Sequence, residues 1–219
     1  MTTVIIVEDN TYMRQHFEKM FADDPRYRVV GVFQDAIEAV DACRGGSVDL
    51  VLMDVLTLHD HSGIAAGKRI KDSGCRSKVV AVTSLVDPDV LAQARSGGAD
   101  SLWYKDHGDA DLMEVIERTL AGEHIFPDTS PDVELKDIRS AQLTPRQLEI
   151  LRLFSDGLGY DEIAERVHLT SRGVRWNLDE IVSRSGFKNK NALLTAIIQK
   201  TLIVKFEDEG KNSVRPLYR

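Results

Sequence analysis

Four short apolar runs, each followed by a chemically reactive polar residue, constrain the fold of the first half of this chain more than any other feature. The runs and the residues after them are Val4 to Val7 before Glu8 and Asp9, Val48 to Met53 before Asp54, Val79 to Val82 before Thr83, and Leu102 to Tyr104 before Lys105. Runs of this length that stop at a polar residue are typical of buried parallel strands. The carboxyl ends of such strands lie along one edge of an open sheet, so we expect the polar side chains to converge there.

The converging side chains suit the acceptance of a phosphoryl group. Clustered carboxylates repel one another and need a hard divalent cation, and Mg²⁺ binds few protein oxygens while it keeps waters for a phosphate to replace. Asp54 can then act as the nucleophile, with Glu8 and Asp9 holding the metal. Lys105 offsets the charge of the phosphoryl group, and the Thr83 hydroxyl can donate a hydrogen bond to it. Each acid alone fits an ordinary solvated loop residue, but three acids, a threonine and a lysine at matching strand ends favour a site.

Strand and helix patterns alternate five times over the first 122 residues, which favours a doubly wound α/β domain with right-handed crossovers. The segments VIIVEDN, VDLVLMD, KVVAVTS and GADSLWYKD resemble the receiver domain of two-component response regulators. The resemblance implies a flavodoxin-like, five-stranded parallel sheet. It also implies that Asp54 takes phosphate from a sensor histidine kinase, that Lys105 and Thr83 relay the change, and that Leu56 offers its backbone carbonyl to Mg²⁺.

The segment departs from the receiver family at two places. The loop after Asp54, residues 55–63, is one residue longer than usual and contains His59 and His61, which we interpret as ordinary loop histidines rather than metal ligands. The position three residues before Lys105, where the family usually has Tyr or Phe, holds Leu102. The aromatic switch of the family is therefore either moved to a neighbouring residue, Trp103 or Tyr104, or absent.

A second domain is predicted from a series of capped amphipathic helices. Thr144 is a suitable N-cap, Pro145 fits the first helical position, and Gln147 completes a capping box. The buried face of this first helix is expected at Leu148, Leu151, Leu153 and Phe154, and that of the second at Ile163, Ala164 and Val167. A third helix, from about Ser171 to Arg184, carries Val174, Leu178 and Ile181 at i, i+4 and i+7, and a fourth covers residues 192–203.

The segments LTPRQLEILRLFSDGLGYDEIAERVHLTSRGVRWNLDEI and SGFKNKNALLTAII resemble the helix-turn-helix domain of LuxR/NarL-type regulators, over residues 142–203. The resemblance implies that the third helix enters the major groove of DNA. Stepping from Val174 at 3.6 residues per turn predicts the groove-facing side chains as Arg172, Arg175, Trp176, Asp179 and Ser183. Asp179 departs from the family, which usually has a basic or neutral residue there, because a carboxylate repels DNA phosphates. The alternative is that Asp179 accepts a hydrogen bond from cytosine N4.

Proline and acidic residues between the two domains predict a linker over residues 123–141, and residues 204–219 form a tail. Residues 1–124 hold 13 Lys and Arg against 21 Asp and Glu, a net charge of −8, whereas residues 142–203 hold 9 against 7, a net of +2. A weakly basic second domain permits DNA binding without requiring it. Cys43 and Cys75 lack metal-like spacing and are interpreted as reduced bystander thiols.

The sequence contains neither an apolar stretch long enough for a membrane span nor a signal-peptide pattern, which favours a cytoplasmic location. The favoured function is a response regulator that is not an enzyme, is phosphorylated by a histidine kinase with Mg²⁺, forms a homodimer on activation and binds promoter DNA. One alternative is a regulator whose helical domain acts through protein–protein contacts or independently of phosphorylation. A phosphatase with an aspartate nucleophile is disfavoured, because such enzymes carry a second acid where this chain has Leu56.

Overall fold

The structure is a computed structural model that describes residues 1–45, 48–105 and 107–206. The chain divides into an N-terminal unit, Met1–Ser84 with Asp89–Asp128, and a C-terminal unit, Thr129–Val204 with Leu85–Pro88. Among the described residues, no helix is both long and apolar enough to cross a membrane.

The N-terminal unit is built on a five-stranded parallel sheet. Its strands are β1 (Thr2–Val7), β2 (Tyr27–Phe33), β3 (Leu50–Asp54), β6 (Lys78–Thr83) and β7 (Ser101–Tyr104), in the spatial order β2-β1-β3-β6-β7. The helices between and after them are α1 (Thr11–Ala22), α2 (Ala36–Cys43), α3 (Gly63–Asp72), α4 (Pro88–Gln93) and α5 (Asp109–Leu120). A short antiparallel pair, β4 (Leu56–Thr57) and β5 (His61–Ser62), lies between β3 and α3.

Both faces of the sheet are covered, as the continuous apolar runs predict. Phe17 and Phe21 of α1 and Leu112 of α5 share one hydrophobic cluster with alternate strand residues such as Leu52. The intervening strand residues, such as Val51, are equally buried. Strand residues buried on both faces are characteristic of a doubly wound sheet, so the predicted fold class is confirmed.

Four helices form most of the C-terminal unit: α6 (Pro145–Ser155), α7 (Tyr160–Arg166), α8 (Ser171–Ser185) and α9 (Lys190–Gln199). Helix α6 begins as predicted, since the Thr144 side chain accepts from the Gln147 N–H and the Gln147 side chain accepts from the Thr144 N–H. Helix α8 ends at Gly186, whose φ of 68° lies in the left-handed region that glycine adopts without strain.

The structure differs from the sequence prediction in three details of this unit. The expected linker contains a hairpin, β8 (Glu134–Leu135) and β9 (Ile138–Arg139), whose Leu135 and Ile138 lie in the hydrophobic core, so the packed unit begins before residue 142. The buried centre of α6 is formed by Ile150 and Leu151, while Leu148, Leu153 and Phe154 are only partly buried. Helix α9 covers Lys190–Gln199 instead of residues 192–203. Of the predicted tail, residues 207–219 lie outside the described residues.

Candidate functional site

Lys105 lies at the centre of a buried charged group at the carboxyl ends of the strands. Its Nζ is 2.7 Å from Oε2 of Glu8 and 2.7 Å from Oδ2 of Asp54. Glu8 is fully buried and Asp54 is 6% exposed. Because β1, β3, β6 and β7 are consecutive neighbours in the sheet, residues from distant parts of the sequence meet at this edge.

Asp9 completes an acidic cluster with these two carboxylates. One ligand atom each from Glu8, Asp9 and Asp54 can be chosen so that all lie within 4.8 Å of one another. Asp9 is exposed, so the cluster is open to solvent on that side. Arg14 was not predicted as part of this site; its Nη1 donates to the backbone carbonyls of Glu8 at 2.9 Å and Asp9 at 3.1 Å and so fixes the turn that presents both acids. Carboxylate oxygens at this spacing fit a hard divalent cation.

The titration of the cluster follows from its burial. Burial raises the pKa of Asp54 to about 7, because the lowering effect of the Lys105 charge is insufficient and the Glu8 carboxylate adds to the rise. Burial alone would lower the pKa of Lys105, but the charges of Asp54 and Glu8 outweigh it and raise that pKa. The lysine is therefore protonated at neutral pH, while Asp54 changes its charge near pH 7.

Thr83 is buried at the end of β6, beside the charged group. The backbone N–H of Lys105 donates to the Thr83 carbonyl at 2.8 Å, and this bond holds the start of the Lys105 loop against β6. Tyr104 is the register partner of Thr83 across the β6–β7 pair, whereas Leu102 pairs with Ala81 and is buried. The aromatic residue of β7 that lies opposite Thr83 is therefore Tyr104. It stands two residues after the position at which the family usually has its aromatic residue.

The loop after Asp54 returns closely to the strand that it leaves. The Val55 N–H donates to the Val82 carbonyl at 3.1 Å, and the Gly63 N–H donates to the Val55 carbonyl at 2.9 Å. A Cβ atom at Gly63 would lie 1.9 Å from the carbonyl oxygen of Asp54, so only glycine allows α3 to begin there. Leu56, the residue expected to supply a backbone carbonyl to the metal, lies in β4 opposite Ser62.

The two histidines of this loop contact neighbouring loop residues. His61 Nδ1 is 2.9 Å from Oδ2 of Asp35, the N-cap of α2, and both side chains are mostly buried. The Thr57 hydroxyl donates to the His61 carbonyl at 3.1 Å and accepts from the Ala36 N–H at 3.1 Å. His59 is exposed, adopts a φ of 63° and contacts the His61 ring. These bonds attach the loop to the start of α2.

The predicted groove-facing residues of α8 share one exposed face in the structure. All five are exposed, and Trp176 keeps 63% of its surface in solvent; they are Arg172, Arg175, Trp176, Asp179 and Ser183. Val174, Leu178 and Ile181 are fully buried on the opposite side, which confirms the helical phase on which the prediction depends. The face thus presents two guanidinium groups and a large aromatic side chain.

The two acids of α8 are engaged by neighbouring side chains. Asp179 Oδ1 is 2.6 Å from Nζ of Lys190, which also lies 3.3 Å from the Tyr160 hydroxyl. Glu180 accepts a hydrogen bond from Nε2 of Gln147 at 2.7 Å and another from Arg184 at 3.2 Å. The negative charge of both acids is therefore partly compensated within the C-terminal unit.

A ring lies next to the basic side chains of this face and was not found by sequence reasoning. The Arg175 guanidinium lies over the Tyr160 ring, 5.1 Å from its centroid, and the Lys190 ammonium lies 5.3 Å from the same centroid. Burial alone would lower the pKa of Lys190, but its bonds to Asp179 and Tyr160 raise it. Cation–π contacts of this kind orient both basic groups.

Comparison with known proteins agrees with this geometry. Residues 4–117 match the family described as the response regulator receiver domain. The response regulator protein VraR of Staphylococcus epidermidis is 27% identical over 205 residues, which cover 91% of this chain and 98% of that protein, and VraR of Staphylococcus aureus is equally similar.

Solved structures of RcsB have a similar fold over most of their length. A structure of two RcsB dimers bound to DNA has a TM-score of 0.60 at 20% identity and covers 90% of this chain and 98% of that chain. RcsB of Salmonella enterica serovar Typhimurium, bound to a promoter in the presence of the phosphomimetic BeF₃⁻, has a TM-score of 0.59 at 22% identity. The match covers 89% of this chain and 97% of that chain.

Proposed function

The chain belongs to the response regulator receiver family, and we propose that it is a DNA-binding transcription regulator controlled by phosphorylation of Asp54. The observation that carries the proposal is the buried group in which Lys105 contacts both Asp54 and Glu8 at 2.7 Å. A lysine beside a strand-end aspartate stabilises the negative charge that a phosphoryl group brings. The proposed donor is a sensor histidine kinase.

In the proposed reaction an Asp54 carboxylate oxygen attacks the phosphorus of a phosphohistidine, and the bond between phosphorus and the imidazole nitrogen breaks. The proposed metal is Mg²⁺, which the carboxylates of Glu8, Asp9 and Asp54 and the backbone carbonyl of Leu56 would hold. When bound, it neutralises negative charge on the carboxylates and the incoming phosphoryl group. The spacing of the three carboxylates and the solvent access at Asp9 support this assignment.

Lys105 and Thr83 have distinct proposed roles. The Lys105 ammonium, only 10% exposed, leaves its contact with the free Asp54 carboxylate and pairs with a phosphoryl oxygen. The Thr83 hydroxyl donates to another phosphoryl oxygen. The backbone bond between Thr83 and Lys105 means that a shift of either residue moves the other, which provides a path from the phosphate to the end of β7.

The proposed output is binding of promoter DNA by the C-terminal domain, residues 142–203, as a homodimer on activation. Support comes from the exposed face of α8, with its two arginines and Trp176, and from the similarity to RcsB, whose dimers have been solved on DNA. Residues 1–122 would form the receiver domain. We place the protein in the cytoplasm, where promoter DNA is located, and propose no turnover of a small-molecule substrate.

Phosphorylation is tested with radiolabelled acetyl phosphate and Mg²⁺ on the full chain and two variants. Asp54→Asn should abolish acid-labile labelling, whereas Asp60→Asn, at an exposed acid of the same loop whose φ of 59° asparagine tolerates, should retain it. Undiminished labelling of Asp54→Asn would reject the assignment of the phosphoacceptor.

DNA binding is tested by selection of bound fragments from a random duplex library, followed by affinity measurements with and without BeF₃⁻. We expect tighter binding with BeF₃⁻ and a salt dependence of about −0.9 in log–log slope for each phosphate contact. A fully phosphorylated chain that binds no duplex, with or without BeF₃⁻, would favour the alternative in which the helical domain acts through protein contacts.

A further inference from the structure

The chain contains two cysteines, and the fold brings them together. Cys43 is the last residue of α2, and Cys75 lies in the loop between α3 and β6. The Cys75 Sγ is 3.3 Å from the Cys43 carbonyl oxygen, so the two residues are in direct contact. Their 32-residue separation gives no sequence signal for a pair, so the sequence alone favours two bystander thiols.

The two thiols differ in their access to solvent. Cys43 is only 1% exposed, whereas Cys75 is partly exposed. Both line an open cleft of about 360 Å³, together with Arg44, Ser73, Gly74 and Arg76. Burial raises the pKa of the Cys43 thiol to about 11, so this thiol stays protonated and reacts poorly with an oxidant in solvent. Cys75 is therefore the thiol that a small oxidant reaches first.

Two hydrogen bonds hold the Cys75 sulfur close to Cys43. Its Sγ is 3.1 Å from the Ser77 hydroxyl, which in turn donates to the Val48 carbonyl at 2.6 Å. The bond to the Cys43 carbonyl orients the same sulfur towards the end of α2. Cys75 is thus held against Cys43, and both residues line the same cleft, which is the placement that a disulfide between them requires.

We propose that Cys43 and Cys75 are a redox modification site that forms a reversible intramolecular disulfide on reaction with hydrogen peroxide. The Cys75 sulfur attacks one peroxide oxygen and the O–O bond breaks, which gives a sulfenic acid and one water. The Cys43 sulfur then attacks the sulfenic sulfur, and the departing hydroxide takes the Cys43 proton and leaves as a second water. Peroxide is reduced by two electrons and the two thiols are oxidised; a thiol reductant reverses the reaction.

The disulfide would close a loop from residue 43 to residue 75, which contains β3, Asp54 and α3. Closing a loop of this length restricts the unfolded chain, so the oxidised protein should unfold at a temperature several degrees higher. The proposal rests only on the N-terminal unit and stands whether or not the proposed phosphorylation occurs.

The test treats the dilute full chain with a small excess of hydrogen peroxide, removes the peroxide, denatures the protein and alkylates every remaining thiol. Mass spectrometry should show two alkyl groups before treatment, none after it, and two again after reduction with dithiothreitol. Peptide mapping should find one peptide pair that joins Cys43 to Cys75 within a monomer. Counting alkyl groups is unaffected by methionine oxidation, because sulfoxides are not alkylated.

Two variants separate a thiol pair from independent thiols. In Cys43→Ala, which keeps the buried position apolar, Cys75 should stop at a sulfenic acid that dimedone traps. In Cys75→Ser, the Cys43 thiol should keep its alkyl group under the same treatment. Three results would overturn the proposal. The first is that the unaltered chain gives the same dimedone adduct as Cys43→Ala and no joined peptides. The others are a disulfide that forms only between molecules, and full alkylation of both thiols after peroxide treatment.

Discussion

Asp179 and Lys190 form an ion pair, with 2.6 Å between Oδ1 and Nζ, that connects the exposed face of α8 to the first residue of α9. The aspartate is mostly exposed and the lysine mostly buried. Lys190 also contacts the hydroxyl and the ring of Tyr160. The acid that is most unusual for a DNA-reading helix is therefore compensated by a lysine of the same unit.

This ion pair leads to a prediction for DNA binding. Asp179→Ala removes a negative charge and frees the Lys190 ammonium, so affinity for all duplex sequences should rise, with a log–log salt slope steeper by up to about 0.9. Lys190→Ala leaves the Asp179 carboxylate uncompensated and should weaken binding. Fluorescence anisotropy at several salt concentrations measures both effects. Arg175→Ala is the control, because as a phosphate or guanine contact it should weaken binding in either case.

Two results would contradict the prediction. Asp179 reads cytosine if Asp179→Ala instead costs about 1 to 3 kcal/mol on the best site and relaxes preference at one base pair. If neither Asp179→Ala nor Arg175→Ala changes DNA affinity, α8 is not the recognition helix. The stability of the domain should change by less than about 1 kcal/mol in Asp179→Ala, because an ion pair whose acid is mostly exposed to solvent contributes little.

Asp54 should make the metal-free protein less stable as the pH rises. Burial raises its folded pKa to about 7 from an ordinary value of 3.8, so its contribution to stability is fully present below about pH 4 and is lost as the pH rises through 7. Asp54→Asn should remove this loss and unfold at a higher urea concentration than the unaltered chain at pH 8 with EDTA. Asp60→Asn, at an exposed acid, should retain the loss. Equal pH dependence in all three proteins would contradict the assigned titration.

Local patterns in the sequence predicted the charged group at the sheet edge. Apolar runs identify buried strands from a few residues, and parallel strands place Asp54 and Lys105 at one edge whatever the lengths of the loops between them. The Arg14 bonds depend on the backbone path of the turn between β1 and α1, and the Lys190 ion pair depends on how α9 packs on α8; short-range periodicity encodes neither. The contact between Cys43 and Cys75 was missed for the same reason.

The errors in the C-terminal unit have more local causes. The start of α9 was placed two residues late because apolar residues begin at Ala192, although Asn189 is a good N-cap and its side chain accepts from the Ala192 N–H. The hairpin was interpreted as linker because acidic and proline residues surround Leu135 and Ile138. Two isolated apolar residues produce too weak a pattern to identify a strand pair.

Gly63 should be required for the position of Asp54. In Gly63→Ala the new Cβ would lie 1.9 Å from the Asp54 carbonyl oxygen, and a backbone atom cannot move without displacing the end of β3. We expect a loss of about 1 to 3 kcal/mol in the free energy of unfolding and slower phosphorylation by acetyl phosphate. Gly108→Ala is the control, since its Cβ meets no atom within 4 Å and its φ of −77° suits alanine. If Gly63→Ala matches the control in both measurements, the backbone of Asp54 can shift to accommodate the new Cβ and glycine is not required at position 63.

His61 should hold the loop that follows Asp54. Its bond to Asp35, which also caps α2, attaches this loop to a rigid helix, so His61→Ala should destabilise the protein by about 1 to 2 kcal/mol. A looser loop admits water to the phosphorylated site, and the half-life of the aspartyl phosphate should shorten several-fold when acetyl phosphate is removed. His59→Asn is the control, because His59 is exposed and asparagine tolerates its φ of 63°. The histidine is only a packing residue if His61→Ala lowers the urea midpoint while the phosphate half-life stays equal to that of His59→Asn.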